Sequence, residues 1–325
     1  MDYIHDVQQD MAYGHRPVLL EECLDALTIR PDGVYVDGTL GRAGHSLEIA
    51  RRLTTGRLIA IDRDETAIAA AKERLRDYLP RVTLVHSNFD RVGEILEELG
   101  IAGADGMLFD LGVSSPQLDD AQRGFSYMHD APLDMRMDRT AALDAHQVVN
   151  RWPYEELRRI LYEYGEERYA PAIAKKITQA RETAPVETTL ELVELIRSAM
   201  PAAALREKQH PAKRSFQAIR IAVNGELDAL PPMLSGAIDR LSPGGRLAVI
   251  TFHSLEDRIV KRAFQDAARG CTCPSGFPVC VCGKKPRVRP VTRKPIVSGA
   301  EELAENSRAR SAKLRVVEKN DPFDL

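Results

Sequence analysis

The sequence predicts an α/β protein with a mostly parallel sheet and an inserted all-helical domain. Three features of the 325-residue chain lead to this expectation. Short apolar runs alternate with amphipathic helical stretches over about the first 110 residues, strand-like runs are missing from about 118 to 210, and a strand pattern returns near residue 244. Alternation of strands and helices is typical of a parallel sheet with right-handed crossovers.

The first four strands are predicted at short apolar runs that follow one another closely. These runs are VYVD (34–37), RLIAID (57–62), VTLVH (82–86) and GMLFDLG (106–112). Helices are predicted between them because SLEIARRL, ETAIAAAKERLRDYL and RVGEILEEL place apolar residues three or four positions apart. Ligands bind beyond the carboxyl ends of the strands in such a sheet, so residues directly after these strands are the first candidates for a site.

The helical domain is predicted over residues 118–210, between two sheet segments at 1–117 and 211–325. Its helical patterns are YEELRRILYEYG, APAIAKKITQA and LELVELIRSAM, and prolines separate them. Strand character returns in GGRLAVITF (244–252), a helix is predicted in SLEDRIVKRAFQDAA, and KLRVVEK (313–319) gives the last strand.

Composition excludes two broad classes of protein. A net charge of −3 excludes a uniformly basic nucleic-acid coat, although it leaves room for local basic patches. No run approaches the roughly 18 apolar residues that a membrane helix needs. The first dozen residues, MDYIHDVQQDMA, resemble neither a signal peptide nor a transit peptide, so a cytoplasmic protein is expected.

Three glycines follow the first predicted strand in VYVDGTLGRAGHS (34–46). Glycine lets main chain approach a ligand closely, and amides at the start of the next helix suit a nucleotide-like ligand. The spacing of Gly38, Gly41 and Gly44 is not the G-x-G-x-x-G of dinucleotide-binding proteins, and no Gly-Lys-Ser/Thr follows, so a pyrophosphate ligand is disfavoured. A tight turn without a ligand is the alternative for this stretch alone.

Acidic and aromatic residues follow the next strands. Asp62 ends RLIAID about twenty residues after the glycines, where a carboxylate can accept the protons of ribose hydroxyls, with a solvated loop carboxylate as the alternative. Phe89 follows the third strand and is able to cover an adenine ring, with a place in the core as the alternative. Together with the glycines, these residues favour an adenosine-containing cofactor. The fourth strand ends in DLGVSSPQ (110–117), where reacting groups of such sheets tend to lie.

Longer stretches resemble one family from about residue 15 to about residue 318. They are HRPVLLEE (15–22), DGTLGRAGHS (37–46), AIDRD (60–64), DLGVSSPQLDDAQRGFSYMHDAPLDMRMD (110–138), YGEER (164–168), FQAIRIAVNGEL (216–227), SPGGRL (242–247) and FHSLEDRIVK (252–261). The block at 110–138 is highly specific. The chain resembles the MraW/RsmH family, S-adenosylmethionine-dependent methyltransferases that modify cytosine N4 in bacterial small-subunit ribosomal RNA.

The resemblance implies a class I, Rossmann-like methyltransferase sheet and a site for S-adenosylmethionine. The implied cofactor-binding residues are Ala43, Gly44, His45, Asp62, Phe89, Asp110 and Gln117. It also implies that the substrate is 16S rRNA, expected within the small ribosomal subunit, with naked RNA as the alternative. Methyl transfer to a weakly nucleophilic amine depends on positioning and electrostatics. Asp110 is therefore a catalytic candidate as the acceptor of the released proton, with water as the alternative.

The Ser114–Gln117 stretch occupies the place where many amino-group methyltransferases carry Asn/Asp-Pro-Pro-Tyr. This chain lacks the aromatic residue of that tetrad. Ser115 and Pro116 are catalytic candidates because they are placed to present a carbonyl to the cytosine amine. A turn that only shapes the cofactor pocket is the alternative. The target base is expected to be single-stranded or flipped out of a helix.

Four of the five cysteines lie close together in CTCPSGFPVCVC (271–282). In a cytosolic chain such clustering favours a metal over disulfides. Cys271, Cys273, Cys280 and Cys282 are therefore candidate ligands of a structural zinc ion, with free thiols or a redox pair as alternatives. Cys23 stands apart and is expected to be a small buried hydrophobe.

Two basic segments, REKQHPAKRSFQAIR (206–220) and KKPRVRPVTRK (284–294), are predicted to contact RNA phosphates. Solvated charge is the alternative for both, and prolines favour an extended conformation for the second. RNA recognition is also expected of the helical domain. His253, in FHSLEDR, is either a contact to base or phosphate or part of a helix cap.

Two other functions stay open on sequence grounds, and a third is disfavoured. A nicotinamide-dependent oxidoreductase is disfavoured by the glycine spacing, whereas a ribosome-binding factor without activity and a DNA amino-methyltransferase need substrate tests. The sequence does not fix the oligomeric state, and a homodimer is among the alternatives.

Overall fold

The structure is a computed structural model that describes residues 17–274, 276, 279 and 281–321, without the side chains of Ser115, Pro116 and Ser307. Strands of the described chain form a seven-stranded sheet in the order β3-β2-β1-β4-β5-β7-β6. They are β1 (Val34–Asp37), β2 (Arg57–Asp62), β3 (Val82–His86), β4 (Ala104–Asp110), β5 (Leu241–Thr251), β6 (Val288–Pro290) and β7 (Lys313–Lys319). Strands β1 to β5 pair in parallel, and β7 is antiparallel to both β5 and β6. The predicted α/β class with a mostly parallel sheet is confirmed.

The chain divides into two compact units, which are Met1–Gly112 with Asp228–Leu325, and Val113–Leu227. The first holds the sheet and is called the sheet unit; the second is called the helical unit. These bounds differ from the predicted insertion at 118–210, mainly because the helix that contains Phe216 and Ile219 packs into the core of the helical unit.

Helices of the sheet unit follow most of its strands. They are α1 (Leu20–Leu27), α2 (Gly44–Arg52), α3 (Glu65–Arg74), α4 (Val92–Glu98), α11 (Leu230–Arg240), α12 (Ser254–Ala268) and α13 (Ala300–Glu305). Short 3₁₀ turns lie at Arg76–Tyr78, Phe89–Arg91 and Ser307–Ser311. The central strands are apolar along their length because they are covered on both faces, as the complete burial of Leu58, Leu108 and Val249 indicates.

The helical unit consists of α5 (Ser115–Asp119), α6 (Ala145–Arg151), α7 (Tyr154–Glu163), α8 (Ala170–Ala180), α9 (Thr189–Ser198) and α10 (Lys213–Asn224), with 3₁₀ turns at Ala121–Arg123 and Ala204–Arg206. A separate core of buried side chains, including Val148, Ile160, Ile173 and Ile219, joins these helices. Asn224 at the end of α10 accepts a hydrogen bond from Met137 N at 2.8 Å.

Two sheet features were not predicted from the sequence. β5 begins at Leu241, before the predicted residue 244, and its register with β4 shifts between Ala104 and Gly106. β6 is a three-residue edge strand inside the segment expected to be irregular. In the described residues, no helix is both long enough and apolar enough to cross a membrane.

Candidate functional site

Three neighbouring strands end in aspartates at one edge of the sheet. Asp37 ends β1, Asp62 ends β2 and Asp110 ends β4. The strands are parallel and in register, with Asp37 beside Ala60 on β2 and Leu108 on β4. The three carboxylates therefore stand at the carboxyl edge of the sheet, where ligands of such sheets bind.

Residues 38–43, called the glycine loop, join β1 to α2 and are held at both ends by Asp37. One carboxylate oxygen of Asp37 accepts the amide proton of Thr39 at 3.1 Å, and the other accepts the hydroxyl proton of Ser46 at 2.6 Å. Asp37 is 1% exposed, and burial raises its pKa although both hydrogen bonds act in the opposite direction. The buried carboxylate of Asp37 thus connects the start of the glycine loop to the first turn of α2.

The glycines of the loop, and Gly44 at the start of α2, are needed for contacts within the protein. A Cβ added to Gly38 would lie 2.2 Å from the ring of Phe109, and one added to Gly44 would lie 2.4 Å from Cγ of Pro17. Gly41 has a φ of +50°, which favours glycine. The expectation that these glycines leave space for a ligand is therefore incomplete. The space beside Gly38 and Gly44 is occupied by the side chains of Phe109 and Pro17.

Asp62 connects the glycine loop to the end of β2. Its carboxylate accepts the amide protons of Gly41 at 2.7 Å and of Asp64 at 2.8 Å. Burial raises the pKa of Asp62 to about 6 despite these two hydrogen bonds. Each of its oxygens keeps a second lone pair, so the group can still accept protons from a ligand hydroxyl.

Among the three carboxyl groups, Asp110 has the least favourable surroundings for its ionised form. Its Oδ1 atom is buried and has no hydrogen-bond partner among the described residues. Burial raises its pKa to about 8, and the negative charges of Asp37 and Glu256 add to the effect. An acid that has one buried oxygen without a partner, and no Lys or Arg counter-ion among the described residues, is a common mark of a functional site.

His45, on the first turn of α2, faces the same carboxyl group. Its Nδ1 lies 3.9 Å from Oδ2 of Asp110, and its Nε2 lies 3.1 Å from the carbonyl oxygen of Val18. Because a carbonyl only accepts, the proton of the neutral ring is assigned to Nε2 and Nδ1 is left as an acceptor. Burial lowers the pKa of His45 to about 4, so the ring is neutral near pH 7.

The structure places the other predicted cofactor residues as follows. Ala43 precedes α2 with a left-handed φ of 61°, and its amide bonds to Leu40 O at 2.7 Å. Phe89 begins a 3₁₀ turn capped by Asn88, and its ring meets that of Phe109 edge-on at 6.2 Å. The sheet unit thus brings together the loop, Asp62 and Asp110, and adds an aromatic group after β3.

Gln117, Ser115 and Pro116 belong to the helical unit. Gln117 is buried, and its Oε1 accepts the amide proton of Ser114 at 3.0 Å across the first turn of α5. Ser115 and Pro116 form the start of that helix, and their side chains lie outside the described part of the structure. Their predicted roles stay predictions.

Two residues of the site were not singled out from the sequence. Asp37 and Thr39 both stand in DGTLGRAGHS, and the structure shows that they organise the loop. An aspartate two positions before a threonine in a loop is a known local pattern, since its side chain can bond the backbone two residues on. That spacing was the available signal.

His253 caps α12. Its Nδ1 accepts the amide proton of Glu256 at 3.4 Å, and Oε2 of Glu256 accepts the amide proton of Phe252 at 2.8 Å. Of the two roles predicted for this segment, the helix cap is the one that the geometry shows, and its N-cap residue is His253 rather than Ser254.

The cysteine segment is only partly described. The sulfur atoms of Cys271, Cys273 and Cys282 all lie within 4.8 Å of one another, and Cys280 lies outside the described residues. The distance between Sγ of Cys271 and Sγ of Cys282 is 3.7 Å. Cys23 is buried, as expected, in the core of the sheet unit.

The chain was compared with known proteins. A family model described as the MraW methylase family matches residues 12–320. The ribosomal RNA small subunit methyltransferase H of Brevibacillus brevis is 57% identical over 310 residues, which cover 95% of this chain and 99% of that protein. The protein of the same name from Symbiobacterium thermophilum is 57% identical, over 95% of this chain and 98% of its own length.

Likeness to solved structures is weaker. An rRNA methylase from Streptococcus thermophilus aligns over 93% of this chain and 94% of its own, with 11% identity and a TM-score of 0.40. The sequence matches are therefore the informative comparison, and they include the glycine loop and all three strand ends described above.

Proposed function

The chain belongs to the MraW methylase family, and we propose that the sheet edge with Asp62 and Asp110 is where it carries out that family's reaction. The reaction is transfer of a methyl group from S-adenosylmethionine to the N4 amino group of a cytosine in 16S rRNA. The observation that carries the placement is the row of three carboxylates at the ends of β1, β2 and β4, one buried and two partly buried, without a Lys or Arg partner among the described residues.

The residues present fit S-adenosylmethionine. This ligand carries a sulfonium, an α-ammonium group and two ribose hydroxyls, which are cationic or hydrogen-bond donors, and one α-carboxylate, which is anionic. Asp62 offers acceptors suited to the ribose hydroxyls. Asp110 Oδ1, which is buried without a partner, and the neighbouring Nδ1 of His45 are acceptors suited to the ammonium group. Phe89 offers an apolar surface for adenine.

Charge supports the same arrangement. A buried carboxylate with a raised pKa is stabilised in its ionised form by a nearby cation. We therefore propose that Asp110 binds the cationic end of the cofactor and becomes ionised as it does so. Ala43 and Gly44, at the start of α2, and Gln117 of the helical unit are retained as further proposed ligands of the cofactor.

The mechanism follows from what these residues can hold. When bound, S-adenosylmethionine supplies an electrophilic methyl group. The N4 lone pair of cytosine is delocalised into its ring, so acceptors that take hydrogen bonds from the amine favour the reactive geometry and stabilise the positive charge that develops. Asp110, once ionised, is the proposed acceptor of the proton released from N4, and the carbonyls of Ser115 and Pro116 are proposed as further acceptors.

We propose that RNA phosphates contact the two basic segments, but with fewer groups than the sequence alone indicates. In the second segment, Arg287 is paired with Asp239 at 2.6 Å and Arg289 with Glu318 at 2.5 Å. Among the exposed cations that remain, Lys284, Arg293 and Lys294 show no ion pair within the described residues.

In the first segment, Arg220 is paired with Glu226 at 2.8 Å. Arg206, Lys208 and Lys213 are exposed and are the proposed contacts. The helical unit that carries them is the proposed RNA-recognition unit, the small ribosomal subunit is the proposed substrate particle, and the cytoplasm is the proposed place of action. A homodimer stays a prediction.

A structural zinc ion at the cysteine segment is a separate proposal. Thiolates about 2.3 Å from a tetrahedral zinc ion lie about 3.8 Å from one another. The 3.7 Å between the sulfur atoms of Cys271 and Cys282 fits this value. Cys273 would be the third ligand and Cys280 the fourth. Elemental analysis of protein purified under reducing, chelator-free conditions should give about one zinc per chain, and its absence would remove the proposal.

The proposed function is tested by methyl transfer to isolated small ribosomal subunits. Subunits from cells that lack this protein, incubated with the purified chain and labelled S-adenosylmethionine, should gain label in one N4-methylated cytosine identified by nucleoside mass mapping. Naked 16S rRNA tests whether the assembled particle is required. Binding of subunits without transfer would instead indicate a non-catalytic ribosome-binding factor.

A further inference from the structure

Thr39 joins the glycine loop to Asp110 through its side chain. β1 pairs with β4 only as far as Asp37 and Leu108, and the amide of Gly38 then bonds the carbonyl of Leu108 at 2.9 Å. Beyond that point the chain turns away into the loop. The amide of Asp110 bonds instead to the hydroxyl oxygen of Thr39, at 2.6 Å.

On its other side, β4 continues its pairing with β5. The amide of Leu111 bonds the carbonyl of Ile250 at 3.0 Å, so this part of the strand end has an ordinary backbone partner. Only the side toward β1 depends on a side chain. The hydroxyl of Thr39 therefore extends the ladder by one hydrogen bond at the residue that carries the critical carboxyl group.

Thr39 is itself held in place by Asp37. The carboxylate that accepts the amide proton of Thr39 also accepts the hydroxyl proton of Ser46, and it is almost fully buried. A continuous set of hydrogen bonds thus runs from α2 through Asp37 and Thr39 to the backbone of Asp110. The loop and the end of β4 are tied to each other, and a displacement of one is transmitted to the other.

We infer that Thr39 is a positioning residue that fixes the carboxyl group of Asp110 relative to the glycine loop. The inference rests on the proposed function, because Asp110 is given its role there. Thr39 acts through the backbone amide of Asp110 and needs no contact with substrate. A misplacement of about 1 Å at a reacting group can cost about 100-fold in rate, so one lost hydrogen bond here is enough to matter.

The test compares Thr39→Val, which keeps the shape but removes the acceptor, with Thr39→Ser, which keeps the acceptor. Thr251→Val is the control, since Thr251 is a buried threonine at the end of β5, beside β4, and its hydroxyl donates only to the carbonyl oxygen of Lys313 at 3.4 Å. Single-turnover methyl transfer, calorimetric binding of S-adenosylmethionine and thermal melting are measured for each. Thr39→Val should lower the transfer rate about 30- to 100-fold, while Thr39→Ser and Thr251→Val stay within about 3-fold of the unmodified protein.

Two further readouts separate positioning from a general loss of structure. Thr39→Val should lower the rate more than it weakens cofactor binding. It should also shift the pH dependence of transfer, which depends on Asp110 and the titratable groups around it: Cys23 on α1, Asp37 on β1, His45 on α2 and Glu256 on α12. In the double variant with Asp110→Asn, Thr39→Val should add less than about 3-fold, because both changes act on one group.

A normal rate in Thr39→Val, or full additivity in the double variant, would overturn the inference. If Thr39→Val does not fold, Thr39→Ala against Thr39→Ser makes the same comparison with the same expected result. A normal rate in Asp110→Asn would overturn the proposed function of Asp110. A low rate in Asp110→Asn together with a normal rate in Thr39→Val would overturn only the positioning role.

Discussion

Two regions of the chain, the sheet edge and the segment around Asp134 in the helical unit, treat their partly or fully buried carboxylates in opposite ways. In the helical unit, Asp134 is bonded by the guanidinium group of Arg136 at 2.8 Å. Burial raises the pKa of Asp134, but the hydrogen bonds and charge of Arg136 outweigh it and the net pKa is lowered. In the sheet unit, Asp62 and Asp110 have no such partner among the described residues, and their pKa values are raised to about 6 and about 8.

This difference separates acids that stabilise the fold from acids that are available to bind a ligand. A carboxylate beside its own arginine, as at Asp134, is electrostatically compensated within the protein. Acids left without a counter-ion cost stability, and such a cost is typical of sites that bind a ligand of opposite charge. The sheet edge is therefore where a cationic ligand gains the most, and S-adenosylmethionine is cationic at the atoms that react.

The largest expected effect follows from removing the charge at Asp110. Asp110→Asn should weaken binding of S-adenosylmethionine about 30-fold or more and lower methyl transfer about 100-fold or more, because a neutral amide offers less to the cation and cannot take a proton. Calorimetry and single-turnover assays measure the two values.

Asp134→Asn is the matched control, with the same chemical change in the helical unit. It should leave the affinity for S-adenosylmethionine within about 3-fold, since Arg136 is its counter-ion and no ligand is proposed there. Equal effects of the two variants on cofactor binding would remove the contrast between the two regions.

The next effect concerns the helical unit. Arg220→Met should reduce the free energy of unfolding by about 2–3 kcal/mol, because it leaves Glu226, whose side chain is 8% exposed, without its partner. Urea denaturation followed by circular dichroism measures the change. Arg220→Lys should recover part of the loss, and a loss below about 0.5 kcal/mol in Arg220→Met would show that the pair does not stabilise this unit.

A third prediction concerns the pH dependence of stability without ligand. The folded-state pKa of Asp110 is about 8, above the value of about 4 in an unfolded chain. Its contribution to stability is therefore fully present below about pH 4 and is lost as the pH rises through about 8. Asp110→Asn has no such loss.

Thermal or urea unfolding of both proteins between pH 5 and pH 9 checks this sign. The variant should gain about 2 kcal/mol relative to the unmodified protein across that range, since the carboxyl group is partly exposed and the full shift is not realised. A difference that stays constant with pH would contradict a raised pKa at Asp110.

The smallest effect is expected at an exposed pair of the helical unit. Glu155 and Arg158 form an ion pair at 2.9 Å with both side chains at least half exposed. Glu155→Gln should change the free energy of unfolding by about 0.5 kcal/mol or less, because solvent screens such pairs. A loss as large as that of Arg220→Met would show that burial is not what separates the two pairs.

Elements with strong periodicity could be predicted from the sequence. Short apolar runs gave the first four parallel strands, and the spacing of apolar residues gave helices such as α8 and α12, which span the residues expected of them. Asp62 and Asp110 were found because a strand end in a parallel sheet is a functional position whatever the packing around it. The family resemblance supplied the reaction.

Features that depend on packing between distant residues could not be predicted. Gly38 is required by the ring of Phe109, and Thr39 by the amide of Asp110, both about seventy positions away along the chain. The placement of α10 in the helical unit depends likewise on a core that no local pattern shows. The short strand β6 exists because β7 offers it an edge to pair with.

The proton balance of cofactor binding tests the central claim most directly. Titration calorimetry with S-adenosylmethionine at pH 6.5, repeated in buffers of different ionisation enthalpy, measures how many protons the protein releases. With a pKa of about 8, Asp110 is mostly protonated at this pH and should release about one proton as the cation binds, whereas Asp110→Asn should release markedly less. Equal proton release by the two proteins would contradict an uncompensated acid at this sheet edge as the basis of the site.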